Sequence, residues 1–149
     1  MTADDDLERF VTAQDQADTY DGALRELRAG RKSGHWMWFI FPQLRGLGRS
    51  ELSRFYGIGS LDEARAYLAH PVLGPRLLAC AATVAGLEGT SAVQVLGEVD
   101  ATKLRSSMTL FDSADPDEPI FRQVLDQWFD GRPDPATLER LGVSERKEP

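Results

Sequence analysis

The sequence predicts an all-α protein, a single compact domain of about nine short helices in an orthogonal, non-bundle array. Apolar residues recur every three or four positions through most of the chain, and Gly and Pro interrupt these stripes at short intervals. No segment alternates between apolar and polar residues as a half-buried strand does. The 149 residues are most simply one domain. We expect it to cover residues 7–142, between a disordered N-terminus at 1–6 and a loose tail at 143–149.

The first two helices are predicted from short apolar stripes. Residues 7–11 carry apolar side chains at i, i+3 and i+4, which is the spacing of one helix face. Asp18 or Asp21 is a suitable cap for the second helix, and Gly30 is a suitable end for it. The basic segment Arg25–Arg54 begins within this helix.

The stretch Gly30–Arg49 is the most unusual part of the chain. Its run Trp36–Phe41 is apolar on every side, so periodicity alone does not distinguish a buried helix from a strand. Pro42 disfavours a helical conformation at the preceding residue. We favour a short buried helix because the segments on both sides have helical spacing.

The later helices are predicted mainly from capping signals. Ser60–Glu63 and Asp115–Glu118 match the capping box, the second with Pro116 at the first helical position. Asp100 is predicted to cap a helix over 101–113, and Asp134 followed by Pro is predicted to begin the last one. The helices predicted after Arg49 begin near residues 51, 60, 75, 91, 101, 116 and 135. Ser91 or Thr90 is predicted to cap the fourth of these.

The charge distribution limits the class of partner. The net charge of −7 argues against a coat for nucleic-acid polymers and against binding to anionic membranes. The basic segment nevertheless has a charge of +5, which leaves −12 for the remainder. A local basic zone on an acidic protein suits a small anionic ligand, although solvated helix faces with scattered arginines give the same pattern.

The sequence predicts neither a cofactor nor a metal site. It lacks the phosphate-loop, dinucleotide, zinc-protease and nucleophile-elbow motifs, and it has only two His. The single Cys80 excludes an intramolecular disulfide and lies in an Ala-rich run, where it is expected to act as a small buried hydrophobe. No signal peptide or long apolar run is present, so we expect a cytoplasmic protein. The oligomeric state stays open.

Residues 32–43 form the first candidate binding segment. Lys32 suits an anionic group, and His35 is the candidate catalytic acid or base because histidine is the residue type most suited to proton transfer at neutral pH. Trp36 and Trp38 offer flat faces for a ring or a cation, and Gln43 both donates and accepts hydrogen bonds. The alternative interpretation is a core aromatic cluster with a hydrogen-bonded His.

The second candidate segment is Asp100–Phe111. On a helix, Lys103 and Ser107 share one face, with Ser106 beside them. These side chains near a helix N-terminus are suited to holding a phosphate or carboxylate. The alternative is a solvent-facing lysine with serine hydroxyls bonded to carbonyls of their own helix.

The same segments resemble a bacterial family known as domain of unknown function number eighteen-ten, whose members are sometimes labelled calpastatin-like. The shared motifs are a Lys before HWMWFIFPQ, a GLG-S turn, an S-x-x-EA-x-x-YL helix and K-x-x-S-S-M-T-L-F. They correspond here to Lys32, His35–Gln43, Gly46–Ser50, Ser60–Leu68 and Lys103–Phe111. The resemblance implies a mainly helical single domain and no established activity. Nothing in the sequence supports the calpastatin label.

A second resemblance concerns the C-terminal half. The run K-L-R-S-S-M-T-L-F, followed by P-x-F-x-x-x-L-x-x-W-F and a Gly, is similar in rhythm to a helical family that acts on ADP-ribose and related N-glycosides. Two hypotheses therefore stand. The chain is a small-molecule enzyme that hydrolyses an N-glycosidic bond in a nucleotide-like ligand, or it is a non-catalytic interaction module that uses its basic segment to contact an acidic partner.

Overall fold

The structure is a computed structural model that describes residues 3–142. Within these residues the chain is all-α, with ten α-helices in one compact domain. The helices are α1 (Ala3–Asp15), α2 (Thr19–Arg28), α3 (Met37–Ile40), α4 (Glu51–Phe55), α5 (Leu61–Ala69), α6 (Leu73–Ala85), α7 (Ala92–Leu96), α8 (Glu98–Ala114), α9 (Pro119–Phe129) and α10 (Pro135–Leu141).

The ends of the chain differ in part from the prediction. Helix α1 begins at Ala3, earlier than the predicted start at residue 7. The predictions for residues 1–2 and for the tail at 143–149 lie outside the described residues. Between residues 3 and 142, no single helix has the length and apolar character to cross a membrane. Only α5 and α6 taken together meet that test, and they are bent by 91°.

Helix α8 is the centre of the fold. It packs against α5, α7, α9 and α10, while α6 packs against α2, α5 and α9. Its buried positions include Leu104, Met108 and Phe111, each with 0% of its surface exposed. The apolar face of α9 is covered because Phe121 packs 5.8 Å from Phe111 between ring centroids. The second candidate segment therefore lies on a helix that four other helices surround.

The aromatic run forms the short buried helix that the sequence predicts. Helix α3 is a single turn, and a buried polar side chain from α1 fixes its end. Gln14, only 1% exposed, donates to the carbonyl of Phe39 at 2.8 Å and to the hydroxyl of Tyr67 at 3.1 Å. Arg76 donates to the Gln14 side-chain oxygen at 3.2 Å. The network thus ties α3 to α1, α5 and α6.

Three predicted caps are confirmed. Ser60 accepts from the N–H of Glu63 at 3.1 Å, and Ser91 caps α7 in the same way. Asp134 accepts from the N–H of Thr137 at 3.1 Å, with Pro at the first position of α10. These local signals work because the cap and the donor lie in the same turn of chain.

Two predicted helix starts are wrong. Helix α8 begins at Glu98 with Gly97 in the cap position, so Asp100 lies inside its first turn and caps nothing. Helix α9 begins at Pro119 with Glu118 as its cap, three residues after the predicted start at Pro116. In each case the end of the preceding helix fixes the start of the next. Helix α7 ends at Leu96, so α8 can begin at Glu98, and α8 continues to Ala114, so α9 begins only at Pro119.

The connection between α1 and α2 is conformationally strained. Ala17 and Asp18 both adopt left-handed conformations, with φ of 52° and 56°. Asp18 occupies the cap position of α2, but its side chain makes no capping hydrogen bond. A left-handed alanine is unfavourable by about 1–2 kcal/mol, so the surrounding packing must hold this turn.

Candidate functional site

The two candidate segments meet through one carboxylate. Lys32 Nζ lies 2.8 Å from Asp100 Oδ2, and Lys103 Nζ lies 3.5 Å from Asp100 Oδ1. The side chains are largely buried, with 9%, 18% and 17% of Lys32, Asp100 and Lys103 exposed. We call this group the lysine site. Its formal charge is +1, because a single carboxylate balances two ammonium groups.

Each lysine of the site also lies over an indole ring. Lys32 Nζ is 5.1 Å from the ring centroid of Trp36, and Lys103 Nζ is 4.6 Å from that of Trp38. Such cation–π contacts contribute roughly 0.5–2 kcal/mol, more where water is excluded. The arrangement therefore places two cations and two aromatic faces together, as the sequence hypothesis requires.

Backbone contacts hold Lys32 in place. Its N–H donates to the carbonyl of Val95 at 2.9 Å, and its Nζ donates to the carbonyl of Gly34 at 2.6 Å. A Cβ added to Gly34 would lie 2.8 Å from the Trp36 side chain, so a larger residue does not fit without movement. The lysine is thus fixed between the loop before α3 and the α7–α8 junction.

Two buried polar atoms belonging to this region have no hydrogen-bond partner among residues 3–142. They are Trp38 Nε1 and Ser107 Oγ, and Ser107 is 0% exposed. Ser107 is one helical turn beyond Lys103 on the same face of α8. Because buried polar groups are almost always paired, both atoms require an explanation.

The other residues predicted for the site lie elsewhere. The Ser106 hydroxyl is 3.2 Å from the carbonyl of Thr102 and 3.1 Å from Asp134 Oδ2, so it joins α8 to the cap of α10. Gln43 is half-buried, and its carbonyl accepts from the N–H of Ile58 at 2.8 Å. His35 is exposed and faces a different cavity.

That cavity is a cleft of about 530 Å³ between the strained α1–α2 turn and the loop before α3. Its ionisable lining residues are three carboxylates, one guanidinium and the imidazole of His35. We call it the acidic cleft. Its lining residues are Ala17, Asp18, Thr19, Asp21, Gly22, Ala23, Arg25, Glu26, Gly34, His35, Trp36 and Phe39. Trp36 therefore contributes both to this cleft and to the lysine site.

Glu26 organises the loop that carries His35. Its Oε1 accepts from the N–H groups of Ser33 at 2.7 Å and Gly34 at 2.8 Å, and from the Trp36 indole at 3.0 Å. Burial alone would raise the pKa of Glu26, but these hydrogen bonds together hold the pKa below its usual range. Glu26 is therefore the anionic anchor of the first candidate segment.

Sequence reasoning missed both carboxylates that build this region. The sequence predicts Asp100 to be a helix cap, and it predicts no role for Glu26. The donors to Glu26 lie seven, eight and ten residues later in a loop, a spacing that follows no helical or strand period. A signal was nevertheless present for Asp100, because it lies three residues before Lys103 and can pair with it on a helix.

Cys80 has the structural role that its sequence context predicts. Its side chain is buried, with 1% exposed, and burial raises the pKa of the thiol to about 12. A thiol in this state is a poor nucleophile.

Both the sequence and the structure of this chain are similar to known proteins. The family model described as "Protein of unknown function (DUF1810)" matches residues 4–141. The crystal structure of the conserved hypothetical protein Rv1873 from Mycobacterium tuberculosis is similar to this chain, with 50% sequence identity and a TM-score of 0.89. The similarity covers 93% of this chain and 98% of that one. No curated protein matches the chain. The chain belongs to the DUF1810 family of proteins of unknown function.

Proposed function

We propose that this protein binds a small phosphorylated, ring-containing ligand of the nucleotide or ADP-ribose kind and hydrolyses its N-glycosidic bond. The observation that carries the proposal is the lysine site, where two largely buried ammonium groups share one carboxylate and each lies over an indole. A phosphate there would make charge-assisted hydrogen bonds to both lysines, which are about twice as strong as neutral ones.

The orphaned polar atoms support a ligand at this place. An indole N–H is only a donor, so Trp38 needs an acceptor, and a ligand oxygen provides one. The Ser107 hydroxyl donates or accepts. Leaving a buried polar group unpaired costs about 1–3 kcal/mol, and a ligand that reaches both groups recovers that cost on binding.

The acidic cleft supports the chemical step. Glycoside cleavage passes through an oxocarbenium-like state that carries positive charge, which Asp18, Asp21 and Glu26 would stabilise. The C–N bond would break with its electron pair leaving on the nitrogen, and the oxygen of a water molecule would form the new bond to the anomeric carbon. His35 would give a proton to the departing nitrogen and take one back from the water, so that protons balance. Trp36 would hold the sugar between cleft and lysine site.

The test is a binding and turnover experiment with ADP-ribose, NAD and nucleoside phosphates. A ligand at 100 times its Kd stabilises the fold by about 2.7 kcal/mol, a rise in Tm of roughly 5–10 °C for a chain of this size. Lys103→Gln should abolish that rise, while Arg132→Gln, which removes a charge from an exposed loop, should keep it. Equal behaviour of the two variants with a true ligand contradicts the phosphate assignment.

The catalytic part needs its own measurement. Release of the free base, followed by chromatography, should stop in His35→Asn while the affinity for the ligand changes little. If His35→Asn releases base at the wild-type rate, His35 is not the acid. If the wild-type protein binds but releases none, the chain is a binding protein.

The second candidate function is an interaction module. The observation in its favour is helix α4, on which Leu52 is 45% and Phe55 is 56% exposed, with Arg49 and Arg54 close to them in the sequence. An exposed apolar pair next to arginines suits an acidic partner. Arg49→Glu and Arg28→Glu should each lower the association rate with such a partner. If both variants capture the partner as well as the wild type does, this function is contradicted.

A further inference from the structure

A further cleft, separate from the acidic cleft, is lined by residues from the loop after α3, the start of α5 and the end of α10. It has a volume of about 330 Å³ and is lined by Leu44, Arg45, Gly59, Ser60, Leu61, Arg140 and Leu141. We call it the arginine cleft. It shares no lining residue with the acidic cleft or with the lysine site. Its lining residues carry two positive charges and no negative charge.

The floor of the arginine cleft is formed by two paired loops. The N–H of Arg45 donates to the carbonyl of Ile58 at 2.7 Å, and the N–H of Ile58 donates to the carbonyl of Gln43 at 2.8 Å. Leu44 and Ile58 form a parallel bridge, and both side chains are buried. The cleft is therefore built on a fixed backbone rather than on a loose loop.

Arg45 is oriented without a carboxylate. Its Nε donates to the carbonyl of Arg54 at 3.3 Å and its Nη2 to the carbonyl of Gly57 at 2.9 Å. The remaining Nη1 lies 3.4 Å from the position that a Cβ on Gly59 would take, on the side of the cleft. No carboxylate within residues 3–142 forms an ion pair with Arg45.

Arg140 packs against Gly46, the residue that follows Arg45. Its guanidinium occupies the space where a Cβ on Gly46 would be, and Gly46 has a φ of +102°. Across the described part of the chain, Arg140 has no ion-pair partner either. The nearby Glu63 is committed to Arg9 at 3.6 Å and to the N–H of Gly59 at 2.6 Å. Two guanidinium groups that lack an ion-pair partner among the described residues thus line one cavity.

The geometry points to a binding site for a small organic anion, a carboxylate or phosphate monoester with a short apolar body. Guanidinium groups bind both kinds of anion through paired hydrogen bonds. Leu44, Leu61 and Leu141 supply the apolar lining, to which Ser60 adds a polar residue. A volume of about 330 Å³ is at the small end of the range for ligand pockets, so the body must be short.

The test is a titration of the full ¹⁵N-labelled chain with phenyl phosphate, benzoate and inorganic phosphate. We expect saturable shifts of the amides of Gly59, Ser60 and Leu141 with phenyl phosphate or benzoate, and the tighter of the two identifies the anionic group. Inorganic phosphate should bind at least tenfold more weakly, because it lacks the apolar body. Shifts that stay linear, or that spread over the whole surface, would overturn the site.

Two variants separate a specific site from general attraction. Arg140→Gln should weaken binding at least tenfold, and Arg140→Lys should lose most of it as well, because lysine keeps the charge but not the fork. Arg132→Gln removes the same charge elsewhere and should leave the Kd within twofold. An equal loss in Arg132→Gln would refute the site. Lys103→Gln should leave the Kd at the arginine cleft unchanged. The proposal for the arginine cleft and the proposal for the lysine site can therefore fail independently, and the variants show which one has failed.

Discussion

Replacing Asp100 with asparagine is the most direct test of the lysine site. The substitution keeps the shape of the side chain and removes the charge that holds Lys32 at 2.8 Å and Lys103 at 3.5 Å. Hydrogen bonds to charged groups contribute about 1.5–3 kcal/mol, and loss of one member of a fully buried pair costs roughly 3–5 kcal/mol. Lys32 keeps the carbonyl of Gly34 as an acceptor. We therefore expect Asp100→Asn to lower the free energy of unfolding by about 1.5–3 kcal/mol.

Urea denaturation and thermal melting measure this loss. At roughly 2–4 °C per kcal/mol for a chain of this length, Tm should fall by roughly 3–12 °C. The matched control is Asp62→Asn, which breaks an ion pair with Arg65 at the same i,i+3 spacing but with 95% and 54% of the side chains exposed. The control should change stability by less than about 0.5 kcal/mol. If the two variants are equally stable, the lysine site does not hold the fold together.

The same substitution should change anion binding in the opposite direction. Without the Asp100 carboxylate, two ammonium groups remain with no anion between them. Added inorganic phosphate should restore part of the lost stability of Asp100→Asn, and it should stabilise the wild-type protein less. Sodium chloride at equal ionic strength is the control for general screening. The absence of any difference between phosphate and chloride would refute an anion position at the lysines.

Three further predictions follow from features around the site. Because the pKa of Glu26 is lowered in the folded state, its contribution to stability is complete above about pH 5 and is lost as the pH falls through the folded-state pKa. Glu26→Gln should be less stable than the wild type at pH 7 and should not show this loss of stability in acid. Denaturation curves measured over a pH series test this, and an equal loss in acid for both proteins would contradict it. Ala17→Gly should raise the free energy of unfolding by about 0.5–1 kcal/mol, because the left-handed strain of alanine exceeds the entropy cost of glycine. Ala79→Gly in α6 is the control and should lower the free energy of unfolding by about 1 kcal/mol. If urea denaturation shows a loss of stability in both variants, residue 17 is not strained. Cys80 should react with iodoacetamide only as fast as the protein unfolds, and rapid labelling of the native state would contradict its burial.

Local signals in the sequence predicted much of the fold. Ser60, Ser91 and Asp134 cap helices as expected because each cap depends on a donor only three residues away. The aromatic run forms a helix because Met37 and Ile40, one helical turn apart, are both buried in the core. Tertiary packing decided the rest. Asp115-Pro and Glu118-Pro offer equivalent starts for α9, and only the length of α8 selects the second.

The candidate site was predictable as two segments and not as one place. Lys32, Trp36, Trp38 and Lys103 lie together as their segments suggested, but the residue that joins them is Asp100. Its position depends on Gly97, whose φ of 88° turns the chain so that α8 begins three residues earlier than expected. The turn depends on the conformation of one residue, so the spacing of apolar residues in the sequence does not predict it. For the same reason the sequence could not indicate that His35 faces the acidic cleft instead of the lysines.

The lysine site also has a consequence for how the chain is made. Lys32 is bound through its N–H to Val95 in α7 and through its Nζ to Asp100 in α8, more than sixty residues later in the sequence. A ribosome delivers the N-terminal part first, at about 5–20 residues per second. For several seconds the nascent chain therefore carries Lys32 and its two tryptophans without their partners. Binding at the lysine site is a property that the protein acquires only after its synthesis has passed Lys103 in α8.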